Sequence, residues 1–105
     1  MLPQKSNRRR FPRVLLPANL HVRCWGDGFR GRLRVLGEGG MLIDTIHPLP
    51  DGTEMEVTIE DDGQPLHVSC ISRDHEPGSG MGVEFIRLSE TDRGRIRELI
   101  ARLTS

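Results

Sequence analysis

Asn7-Arg8-Arg9-Arg10-Phe11-Pro12-Arg13 puts four guanidinium groups into seven residues with no acid among them. A guanidinium is permanently charged and planar, and its fork of N–H donors matches phosphate oxygens or the O6/N7 edge of guanine. Pro12 disfavours a helical conformation at Phe11, so the segment is expected to lie extended, as an arm rather than a helix. Such an arm can close on an anionic ligand. A basic cluster near a terminus is also what an ordinary solvated tail looks like, so the rest of the chain must decide between the two.

Catalytic chemistry is thinly supplied. His21, His47, His67 and His75 are scattered and share no metal-ligand spacing with Cys24 or Cys70. The two cysteines sit inside apolar strand patterns and read as buried thiols of a reducing compartment, a disulfide being the lesser alternative. No Ser or Cys occupies a nucleophile-elbow context, and the acids follow strand alternation or turns as a solvated face would. Three glycines fall within Gly37-Glu38-Gly39-Gly40, a density that means tight turning, positive φ or a close backbone approach. This is not a Walker-type phosphate loop, because the Lys-Ser/Thr is missing and no helix pattern follows. The expectation is a binding protein with no catalytic residues, metal site or cofactor.

The formal net charge is zero, yet the charge is segregated. Residues 1–34 hold nine Lys/Arg and one acid, Asp27, whereas residues 38–84 hold eleven acids and one base, Arg73. A general nucleic-acid binder needs a broad basic face, so one arm argues against nucleic acid and suits a small anionic ligand. No aromatic stacking platform for single strands is visible among Phe11, Trp25, Phe29 and Phe85. No apolar run reaches membrane-spanning length and no signal-peptide segment opens the chain, so no membrane insertion and a cytoplasmic location are expected.

The elements that must position these groups are mostly short strands. Residues 1–7 read as a flexible lead-in and 8–105 as a single domain, the right size for one modest core. Val14-Leu15-Leu16-Pro17 reads as a connector. Leu20, Val22 and Cys24 alternate with polar residues, as do Gly31, Leu33 and Val35 with Arg30, Arg32 and Arg34. Met41 to Ile43 form a short strand after the glycines. Met55, Val57 and Ile59 form a clear one, Asp61-Asp62-Gly63 a hairpin turn, and Leu66, Val68 and Cys70 the return. Asp74 to Gly80 reads as a polar loop before a last strand, Met81–Ile86. The period then changes: Ser89 can cap a helix with Asp92 three residues on, and Ile96, Leu99, Ile100 and Leu103 make its apolar stripe. Six strands and a terminal helix predict an all-β fold, a small antiparallel barrel with the helix over one mouth or flank.

The arginine arm, the Gly-rich turn and a Gly82-Val83-Glu84-Phe85 strand before a helix together resemble the PilZ domain family. The family signature Arg-x-x-x-Arg is met by Arg9 to Arg13. Its second part, Asp/Asn-x-Ser-x-x-Gly, aligns with Val35-Leu36-Gly37-Glu38-Gly39-Gly40, where Val35 and Gly37 replace the polar residues and Gly40 matches. The resemblance implies a six-stranded barrel with a C-terminal helix and binding of the bacterial second messenger cyclic di-GMP. The implied site is Arg8, Arg9, Arg10 and Arg13 with Val35, Gly37, Gly39 and Gly40. Arg9 and Arg13 would grip guanine edges and phosphates while the arm orders around the ligand. It implies in turn a sensor acting on an unidentified protein partner in motility, surface attachment or biofilm formation. The missing polar pair leaves open the alternative of a degenerate adaptor that binds no nucleotide and works by protein contact.

Overall fold

Apolar residues at every second position become strands wherever a neighbour completes the ladder. The computed structural model describes residues 13–17, 21–61, 64–76 and 80–104, with backbone alone at 64 and 74–76. In chain order the strands are β1 (Arg13–Leu15), β2 (Arg23–Gly26), β3 (Phe29–Gly37), β4 (Gly40–Asp44), β5 (Glu54–Asp61), β6 (Gln64–Glu76) and β7 (Gly80–Ile86). One helix, α1 (Glu90–Thr104), follows them.

The strands run β3-β2-β5-β6-β7-β4 in space, all antiparallel, and β4 pairs back onto β3. Six strands therefore close the expected barrel, which leaves no open edge around its circumference. Two segments depart from the expectation. Val14 and Leu15, read as connector, lie in β1 and pair with Leu36 and Val35. β3 is longer than β2, and its surplus edge recruits the three residues that carry no period of their own. Likewise β6 runs through the expected polar loop to Glu76, because β7 offers a partner up to the Glu76–Gly80 pair.

β3 also carries an extra residue. Leu33 pairs with Ile43 and Val35 with Leu42, so Arg34 has no opposite number on β4. A bulge of this kind reverses the pleat beyond it. Leu33 and Leu36 are both buried, while Val35, expected on the inner face with Leu33, is turned outward and only half-buried.

The core is aliphatic, as the composition requires, with Val22, Leu33, Leu36, Ile43, Val57 and Met81 at 1% exposure or less. Cys24 and Cys70 lie inside it as free thiols. Ser72 is the buried polar side chain among the described residues. Its hydroxyl donates to the Pro50 carbonyl (2.5 Å) and accepts from the Thr53 N–H (2.9 Å), pinning the 50–53 turn to β6. The helix begins as expected: Ser89 Oγ accepts the Asp92 N–H at 3.0 Å, and Ile96 and Leu99 are buried against the barrel. α1 packs on β3 and β6.

Burial pushes both thiols from an ordinary value of 9.0 to about 12, with Glu56 and Cys24 adding to the effect at Cys70. A thiol whose folded value lies above its unfolded one stabilises the fold below the unfolded value and loses that contribution as pH rises through the folded one. Unfolding free energy from urea titrations is therefore expected to fall between about pH 9 and pH 12. The slope should shrink in Cys24→Ala, and an unchanged slope would place these thiols outside the titration. Gly94 sits inside α1, and an alanine methyl there would meet nothing within 4 Å. Gly94→Ala should stabilise the fold by about 1 kcal/mol in thermal or urea unfolding.

Candidate functional site

The two halves of the motif meet through β1. Arg13 pairs with Gly37, Val14 with Leu36 and Leu15 with Val35. Directly opposed residues of an antiparallel pair share a face. Leu36 is fully buried, so Val14 beside it faces inward, and Arg13, Leu15 and Val35 face outward, while Gly37, opposite Arg13, is itself buried. Arg13 thus comes beside Gly37 and onto the same face as Val35, although Arg13 and Gly37 are far apart in sequence. Arg8, Arg9 and Arg10 lie outside the described residues, as does the lead-in 1–7.

Glu38 and Gly39 make the turn between β3 and β4, and Gly40 opens β4. The Gly39 carbonyl accepts the Phe85 N–H at 2.9 Å, and Gly40 pairs with Glu84 of β7. A side chain at Gly40 would run into the Val83 carbonyl oxygen. The glycine is required by close backbone approach, and its φ is not in the left-handed region. Of the readings open for this glycine run, close approach is the one realised at Gly40.

The turn is also wired to the helix. Glu38 Oε1 accepts from Arg97 Nε at 3.0 Å, with Glu38 mostly shielded from solvent. Arg95 donates to the Pro65 carbonyl (3.0 Å) and Arg102 pairs with Asp61 (2.9 Å), so three arginines fasten α1 across the end of the barrel where the hairpins turn. On the flank, Asp44 takes both Arg32 (3.8 Å) and Arg34 (3.6 Å), as the solvated strand face expected for these arginines.

Leu15 and Leu42 border the candidate site and were missed by sequence reasoning. Leu15 is 68% exposed, and Leu42 flanks Val35 from the β4 side and pairs with Gly82 beyond. With Val35 they form an outward apolar strip beside Arg13. Alternation from Met41 and Ile43 could have placed Leu42 on the outer face; nothing in the sequence marks Leu15. Among the described residues no group of three or more His, Cys, Asp or Glu could hold a metal ion.

The PilZ domain family model matches residues 7–102. This chain belongs to the PilZ domain family. Comparison of the sequence with curated proteins gives no match. Among solved structures, the PilZ domain with c-di-GMP of YcgR from Escherichia coli is similar at a TM-score of 0.73 and 21% identity, over 92% of each chain. YcgR in complex with c-di-GMP, from the same organism, gives 0.73 and 21% over 92% of this chain and 46% of that one. The Bacillus subtilis Inhibitor of motility (MotI/DgrA) gives 0.62 and 18% over 95% and 55%. At these identities the likeness is one of fold, and this chain spans about half of the two longer neighbours. PilZ domains are regulatory receptor domains rather than enzymes. No helix among the described residues is long and apolar enough to cross a membrane.

Gly40→Ala should cost about 1–3 kcal/mol through overpacking against Val83. Urea denaturation would show this, and an unchanged midpoint would mean that β4 and β7 can separate at no cost.

Proposed function

We propose that this PilZ domain binds cyclic di-GMP across β1 and the Gly37–Gly40 turn and passes the signal to a protein partner. The observation that carries the reading is the pairing of Arg13 with Gly37, which sets the last arginine of the first motif directly beside the second. Arg13 and Arg9 supply guanidinium forks for phosphates and guanine edges, and Arg8 and Arg10 add positive charge. Gly39 turns the backbone and Gly40 lets β4 close on β7 beside the ligand, and Leu15, Val35 and Leu42 offer an apolar surface to a base. The similarity to YcgR solved with c-di-GMP supports the same ligand. Through Glu38 the turn reaches Arg97, which gives α1 a part in the response. Motility or surface attachment is the proposed output, in line with the likeness to an inhibitor of motility.

A second reading rests on that apolar strip. Leu15 is two-thirds exposed beside Val35, where the family signature has Asp or Asn, and such a strip equally suits contact with a protein. In this reading the domain is an adaptor without nucleotide.

Isothermal titration calorimetry with cyclic di-GMP, using GTP as control, separates the two. The sensor reading expects saturable binding that is absent with GTP and lost in Arg9→Ala and Arg13→Ala, both still folded. Val35→Asp with Gly37→Ser should restore one charged and one neutral hydrogen bond, roughly 2–4 kcal/mol. That corresponds to affinity tighter by about 30- to 1,000-fold. No heat from a folded sample, in wild type and restored variant alike, would overturn the sensor and leave the adaptor.

A further inference from the structure

A second surface lies on the barrel wall around Trp25, away from the candidate ligand patch. Trp25 pairs with Arg30, seven residues along β3 from Gly37, a separation of roughly 23 Å at strand rise. Trp25 is 37% exposed, and the Arg23 guanidinium lies over its ring at 5.9 Å. Two open grooves share this residue. One, of about 880 Å³, is lined by Arg23, Trp25, Arg30, His47 and Glu60. The other, of about 760 Å³, is lined by Trp25, Asp27, Glu54, Glu56 and Arg87.

Pairing within the chain sorts the charges of these grooves. Arg23 is matched by Glu60, and Glu54 by Arg87. Arg30 is exposed with no ion pair among the described residues, so the first groove keeps a positive charge beside the exposed His47 imidazole. Asp27 and Glu56 are likewise exposed with no ion pair among the described residues, Glu56 accepting the Ser69 hydroxyl at 2.6 Å. The second groove therefore keeps a negative charge. An indole ridge stands between them, and Ile46, next to His47, is 87% exposed.

A patch with opposite charges on either side of a central aromatic is complementary to itself under a two-fold rotation. The rotation sets indole against indole and lays each basic groove on the partner's acidic one. A partner of one charge sign would match one flank and be repelled by the other. We infer that the face around Trp25 is an isologous interface, on which two copies of this chain dimerise with Arg30 of each facing Asp27 and Glu56 of the other. Tryptophan and arginine are the residues that most often dominate such contacts.

Sedimentation equilibrium of the full chain without ligand tests this. A dimer is expected at about 0.05 M salt, with a dissociation constant at least about tenfold higher at 0.5 M, as screening of the exposed charges requires. Trp25→Ala should be monomeric. Arg30→Glu and the double variant Asp27→Arg/Glu56→Arg should each be monomeric alone and form a heterodimer when mixed. Trp25 is the sole tryptophan, so its fluorescence reports the same equilibrium on dilution and confirms that each Trp-containing variant is folded. A wild-type monomer at every salt concentration would overturn the inference. So would a dimer indifferent to Trp25→Ala and to salt, or charge-reversed variants that do not pair when mixed.

Discussion

The extra residue in β3 is the constraint on which the rest of the outer surface depends. Had Arg34 been matched on β4, the alternation of Leu33 and Val35 would have continued inward. Because it is not, Leu36 fills the core while Val35 turns outward. β1 then adds to the same stretch, and Arg13 arrives beside Gly37 with no loop rearrangement. The bulge thus converts a strand that closes the barrel into one that also presents a motif. It costs one unmatched residue, and the Arg34 side chain turns to Asp44 instead.

The helix matters for a related reason. A six-stranded barrel closes its walls and leaves its mouths to be filled. Ile96 and Leu99 bury apolar surface at the mouth where the β3–β4 and β5–β6 hairpins turn, and this burial holds α1 in place. The fastenings from Arg95, Arg97 and Arg102 are partly exposed, and exposed ion pairs are worth about 0–1 kcal/mol each. Their role is one of register more than of stability: they decide which face of α1 meets which turn. Arg97 on Glu38 ties a helix residue to the middle of the glycine turn, across 59 positions of sequence.

The barrel was legible in the sequence because its core strands carry unbroken alternation, as in Met55, Val57 and Ile59, and because the period changes after Ser89. β1 was not, since three residues cannot show a period; its existence follows from the unused edge of β3. The bulge ran against the local signal. Arg30, Arg32 and Arg34 against Gly31, Leu33 and Val35 is a clean two-residue repeat, and only closure of β3 onto β4 interrupts it. Of the candidate site, Arg13 and the glycines were legible from their types and spacing, and Leu42 could have been placed outward from its alternation with Met41 and Ile43. Leu15 and the Glu38–Arg97 tie were not, because each depends on a partner that only the closed barrel brings near.

Closure also gives the charge segregation of the chain a spatial meaning. A front half rich in arginine and an acidic middle would simply cancel if their residues were interleaved on the surface. The strand order sets β2 between β3 and β5, so Arg23 and Trp25 of β2 have Arg32 and Arg30 on one side and Glu60 and Thr58 on the other. The boundary between the basic and acidic stretches of sequence therefore becomes a line on the barrel wall. Trp25 stands on that line, and Arg13 stands at the far end of β3, on the basic side of it. The same strand carries both surfaces at different heights, so a small anion and a bulky partner can be held without competing for the same residues.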